Sequence, residues 1–462
     1  MLSLLPAARG HVLNRAAADR FGIIALGALL AVAFLFGGGG SRYGLANLVV
    51  QLAALAVLAV RSDAIARFWR ESPLLLRMLA ALTVLLPLAQ IVPLPESVWP
   101  ALPGHDLVAR SFEAAGTGGW MTWSVDPRRT ALALTALITP LAVLMGGWAL
   151  PRQHLLTLGW LVVALGLITT MMGLVQLNPA GNNLVFYQAR EPGAFLVGTF
   201  ANRNSTALFL GFCLTLACLL PAPRTHPAVS WVRFAIASLL LVAIILTKSR
   251  TGLALAVIPL GLTGIRLSAW LLQRRSSGAG PRRGPHPILL AAGVMALGAT
   301  AVGGLMMAAP GRIGATLERF EAKDDPRRFI WEDAVFATER YWPTGAGMGT
   351  FDAVFQIDES LENLTLRTAG RAHNDYLELA IEAGLPGLAL VALWFAGCMA
   401  LAWQSRRSDL AWAGWAGGAF LLAISLQSIT DYPLRNQTIL AFAGYALLLL
   451  TRTASDRGVE RR

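Results

Sequence analysis

The stretch RAHNDYLELAIEAGLPG, residues 371–387, gathers Arg371, His373, Asn374, Asp375, Glu378 and Glu382 at the start of a long apolar run. A neutral imidazole works as a general base near pH 7, so His373 is a candidate for taking the proton of a poor nucleophile such as a hydroxyl. The same residues also suit a helix start. Asn374 or Asp375 can cap it, Asp375 with Glu378 forms a variant of the capping box, and acids sit well in a first turn. Glu378 and Glu382 project from one helix face. Carboxylates at membrane depth turn toward protein or water, which makes a cavity beside them plausible.

A second set of candidates is cationic. Arg203 lies in ANRNS, Lys248 and Arg250 in LTKSRTG, and Arg327 in DPRRFIW. Each alone can anchor a helix by reaching to lipid headgroups. Together at an outer membrane surface they suit the oxygens of a lipid phosphate or diphosphate, which a guanidinium grips with two parallel donors. The outward histidines, His105 and His373, are far apart in sequence. The three cysteines fall in apolar segments with no Cys-x-x-Cys pair, so no cofactor and no His- or Cys-based metal site is expected, while carboxylates leave a divalent ion open. GAGMGTF (345–351) has no strand before it and no Walker lysine, and reads as a tight turn.

The elements that must hold these groups are hydrophobic helices. Of 462 residues 55% are hydrophobic and 14% charged. Apolar runs near 21–37, 45–60, 74–92, 130–149, 154–177, 200–220, 231–247, 252–272, 288–309, 376–403, 410–430 and 437–452 describe an all-α polytopic membrane protein of about twelve spans. The first run ends in FLFGGGGSRYG and reads as a retained signal anchor. Alternating the spans puts both termini on the face that holds most of the arginines. The positive-inside rule makes that face cytoplasmic, so the net charge of +12 is a topology signal and not a nucleic-acid footprint. Three outer loops follow, at 93–129, 178–199 and 310–375. The chain divides into spans 1–309 with short outer loops, one large and mostly helical periplasmic loop at 310–375, and spans with a cytoplasmic tail over 376–462.

GTFANRNSTALFL (198–210), LTKSRTG (246–252), RRFIWEDAVFATERYWPTGAGMGTF (327–351), RAHNDYLELAIEAGLPG (371–387) and SITDYPLRN (428–436), in this order, resemble the O-antigen ligase and O-antigen polymerase superfamily of bacterial inner-membrane glycosyltransferases. The resemblance implies a GT-C-like fold and transfer of a glycan from undecaprenyl diphosphate to a saccharide hydroxyl at the periplasmic face. For a ligase the acceptor is lipid A–core, and for a polymerase it is another carrier-linked glycan. Transfer to a protein hydroxyl is a further variant. It also implies roles: His373 as base, Arg203 and Arg250 and then Lys248 and Arg327 on the diphosphate, and Arg371, Asn374, Asp375 and Glu382 in support. A transporter or flippase, the reading from another class, calls for charges near the middle of spans and for related halves. Here the polar groups gather at outer helix ends and no repeat is visible.

Overall fold

The computed structural model describes residues 5–177, 184–187, 194–222, 227–276, 327–362 and 369–454. The expected span 288–309, the start of the 310–375 loop and part of the 178–199 loop lie outside them. Helices dominate, and the strands among the described residues are the short antiparallel pair Pro93–Leu94 and Met121–Thr122. Seven helices among the described residues are long and apolar enough to cross a membrane, or eight if the bent pair Gly44–Val60 and Ser62–Glu71 forms one span. Leu74–Gln90, Arg203–Leu219 and Ala411–Gln427 are apolar but shorter. A helix occupies each expected span that falls among the described residues. The protein is therefore a membrane protein of α-helices, since only backbone hydrogen-bonded within its own segment, or closed into a barrel, tolerates hydrocarbon.

The two most enclosed helices, Arg203–Leu219 and Gln437–Ala454, are apolar on nearly every side, as a helix surrounded by others must be. Phe212 stacks on Phe420 with ring centroids 4.0 Å apart, and Phe209 meets Phe442 at 4.9 Å. The Tyr445 hydroxyl donates to the Leu155 carbonyl at 2.7 Å, which joins this centre to the helix Arg152–Gln176. Both central helices begin at the same end of the bundle, beside the start of the helix Asp375–Ser405.

That last helix is broken at Gly384, where φ is +54° and ψ −145°. The break exposes backbone to which the Gly-rich turn docks. Leu385 N–H donates to Pro343 O, Ala346 N–H to Ile381 O, and Gly347 N–H to Glu382 O, at 2.8–2.9 Å. Gln90 adds a side-chain bridge, donating to Glu382 O and accepting from Met348 N–H. The expected tight turn is thus also a docking surface that fixes the helix behind His373. A Cβ on residue 384 would stand 2.1 Å from Pro343 O, on top of an unfavourable left-handed φ. Gly384→Ala should therefore cost at least about 2 kcal/mol. Gly261→Ala, where a Cβ meets open space on a helix, should cost nothing. Thermal melts in detergent compare the two, and equal midpoints would rule out the docking role.

Candidate active site

His373 sits one residue before its helix cap, at φ +53°, a left-handed backbone that a non-glycine residue adopts only when its surroundings enforce it. Both neighbours are clamped. Ala372 N–H donates to Glu378 Oε1 at 2.9 Å, and Ala372 O accepts from the Trp331 indole at 2.8 Å. Asn374 Oδ1 caps the helix by accepting from the N–H groups of Tyr376 and Leu377, and Asp375 N–H donates to Ser428 O at 2.8 Å. The cap is therefore Asn374. The expected capping box of Asp375 and Glu378 does not form, because Asp375 accepts instead from the Ser428 hydroxyl and Glu378 reaches back to Ala372.

The imidazole, about one-third exposed, turns Nδ1 toward Asp431 Oδ1 at 3.5 Å, and its ring lies 4.9 Å from that of Tyr432. Asp431 is 1% exposed, and its other oxygen accepts from Asn202 Nδ2 at 3.0 Å. A carboxylate facing one ring nitrogen leaves the other nitrogen to take a proton, and at 3.5 Å the two atoms face each other without a hydrogen bond.

The expected cations approach the same mouth. Arg203 opens its helix directly after Asn202, the residue bound to Asp431. Its guanidinium lies 4.4 Å from the Phe195 ring centroid, and the Lys248 ammonium lies 5.6 Å from the same ring. Arg250 opens the next helix after the cap Ser249, whose hydroxyl donates to Asn204 Oδ1 at 2.8 Å. Thr251 then meets Thr430 at 3.2 Å, one residue from Asp431. Arg327 enters less directly, one helical turn before Trp331. Close packing of the Gly-rich run after the first helix completes the mouth. Ala201 N–H and Asn436 Nδ2 both donate to Gly38 O, and a Cβ on Gly38 would collide with Thr199 O at 2.0 Å.

Helices starting at 203, 250, 375 and 437 all begin here, capped by Asn202, Ser249, Asn374 and Asn436. Their positive ends add to the cations and favour an anion at the mouth.

Behind the histidine the charges are paired. Arg435 Nη2 lies 2.7 Å from Glu382 Oε2 and 3.0 Å from Glu378 Oε2, with Asp375 at 3.8 Å. Burial works against its charge, but these carboxylates outweigh the penalty and hold the guanidinium above its ordinary pKa. Arg371 joins through Glu378 at 3.2 Å and donates to the Ser41 hydroxyl. Glu378 and Glu382 are fully buried. They face protein and pair with arginines, Glu378 with Arg371 and Arg435 and Glu382 with Arg435. Among the described residues no group of three or more His, Cys, Asp or Glu is arranged to hold a metal ion.

Sequence reasoning gave Asn202, Asp431 and Arg435 no role. Each lies in one of the quoted motifs, and a short polar run between two apolar spans was the available signal.

Residues 235–392 match the family model described as O-antigen ligase, and no curated protein matches the chain. The match takes in Lys248, Arg250, Arg327 and the whole histidine segment. The Asn202–Asp431 and Asn204–Ser249 bonds tie the segments on either side of it to the same mouth. Over residues 235–392 the chain is therefore similar to the O-antigen ligase family.

Proposed function

We propose that the protein is an inverting glycosyltransferase that moves a glycan from undecaprenyl diphosphate to a hydroxyl of lipid A–core, at the periplasmic face of the inner membrane. The observation that carries this reading is the meeting of an Asp431-backed imidazole with Arg203, Lys248 and Arg250 at one mouth of four helix N-termini. A diphosphate leaving group needs no protonation, but negative charge builds on it as the anomeric bond breaks. Fixed cations and helix ends stabilise that charge without reorganising.

In this reaction the acceptor hydroxyl gives its proton to the His373 nitrogen that faces away from Asp431. The acceptor oxygen attacks the anomeric carbon from the face opposite the diphosphate. The new C–O bond forms as the old one breaks, the electron pair leaves with undecaprenyl diphosphate, and the configuration inverts. Asp431 steadies the imidazolium. Arg203 and Arg250 take the diphosphate oxygens, with Lys248 and Arg327 supporting. Arg371, Asn374, Asp375 and Glu382 fix the backbone that carries the base. The basic face holding both termini is then cytoplasmic, in keeping with the charge asymmetry of the loops.

Purified protein with carrier-linked oligosaccharide and lipid A–core should consume the donor and yield a capped acceptor. A ladder that stays on the carrier would assign polymerase activity instead, and no transfer to any acceptor would count against the enzyme reading. His373→Ala should lower turnover by about 10²–10⁴-fold with the protein still folded. Asp431→Asn should lower it less, whereas full activity in both variants would sink the base assignment. Arg203→Ala and Arg250→Ala should each cost about 10²–10³-fold in kcat/KM. Unchanged donor affinity and turnover in both would remove the diphosphate clamp.

A further inference from the structure

At the other end of the bundle, three buried donors lack acceptors among the described residues. The helix Gln437–Ala454 starts at the mouth and carries Arg452 to this far end, where its guanidinium lies 5.5 Å from the Trp148 ring centroid. Trp148 is 2% exposed and packs edge-on against Phe68 at 5.3 Å. Phe68 belongs to Ser62–Glu71, which bends 76° away from the span before it. This short helix buries Ala64 and Phe68 and exposes Trp69, Arg70 and Glu71, the pattern of a helix lying at a membrane surface. The chain leaves it through Ser72, itself 2% exposed and hydrogen-bonded by its backbone to Phe68.

The indole N–H of Trp148, the Nε–H of Arg452 and the hydroxyl of Ser72 are buried and meet no hydrogen-bond partner among the described residues. A buried tryptophan N–H normally finds an acceptor, and an orphaned donor is costly. Arg152 lies within electrostatic reach of Arg452 and opens its helix without a side-chain cap, so that helix's positive end faces the same neighbourhood. Among the described residues Glu71 is an acid in reach of Arg452, and it is exposed. The three orphaned donors call for an acceptor with several oxygens, and the neighbouring guanidinium favours an anionic one. Trp69 and the surface helix place it at the level of lipid headgroups.

We propose that Ser72, Trp148, Arg152 and Arg452 bind the phosphate of an anionic phospholipid headgroup, at a site separate from the His373 mouth. The test places the full chain in nanodiscs of phosphatidylcholine with and without phosphatidylglycerol. Lipid retention is followed by native mass spectrometry and stability by thermal melting. Phosphatidylglycerol should be retained and should raise the wild-type midpoint. Trp148→Phe, which keeps the ring and removes the N–H, and Arg452→Gln should each weaken retention about ten-fold, with the midpoint in phosphatidylcholine alone unchanged. Equal retention by all three proteins would overturn the site. So would variants that lose stability equally in both lipids, since the two side chains would then be structural. If inorganic phosphate added to phosphatidylcholine discs reproduces the whole effect, the ligand is a free ion and the lipid assignment falls.

Discussion

One buried guanidinium holds the candidate site together. Arg435 stands on the single turn Pro433–Arg435 between the helices Ala411–Gln427 and Gln437–Ala454 and meets Glu378 and Glu382, with Asp375 close by, on the helix Asp375–Ser405. Removing such charges from water costs several kcal/mol per ion, and only pairing with good geometry offsets it. The carboxylates are therefore confined to where Arg435 is. Each glutamate spends its second oxygen on backbone, Glu378 on Ala372 N–H and Glu382 on Phe351 N–H. The ion cluster thus sets the position of the residue before the histidine and of the segment after the Gly-rich turn. The short loop that carries Asp431 and Tyr432 is fixed by the same anchor.

This arrangement sorts charge by depth. The acids of the histidine helix are turned inward and neutralised by Arg435 and Arg371, while Arg203, Lys248 and Arg250 stand at helix starts around the mouth. An incoming anion then meets cations and helix N-termini before it meets carboxylates. Were the same acids unpaired and forward, they would repel a diphosphate. The buried cluster is part of what makes the mouth suitable for an anion, although none of its members need touch one.

Among the described residues helices fill the expected positions even where they are short, because hydropathy and length are local properties. The cationic motifs were legible because Arg or Lys between two apolar runs is conspicuous. What could not be read was pairing across distance. Asp431 acquires its meaning only when the connection between two late helices folds against residue 373. The acids of RAHNDYLELAIEAGLPG looked like cap and cavity residues because Arg435 is remote in sequence. GAGMGTF was recognisable as a turn, but its target became visible only with the break at Gly384. Local chemistry singled out candidate residues, and the tertiary bonds show what each one touches.

The relation between His373 and Asp431 follows from that distinction. Their side chains come from different helix ends, so their separation is set by how those helices pack. Three bonds govern the packing nearby: Asp375 N–H to Ser428 O, the Ser428 hydroxyl to Asp375 Oδ2, and the Tyr376 hydroxyl to Ser425 O. All join the start of the histidine helix to the end of Ala411–Gln427. The left-handed backbone at residue 373 then aims the ring across the short gap that remains. At 3.5 Å His373 Nδ1 and Asp431 Oδ1 make no hydrogen bond, and a closer approach of the two helix ends is what would form one. In the proposed reaction an acceptor bound across both ends would draw them together and couple occupancy of the mouth to activation of the proposed base.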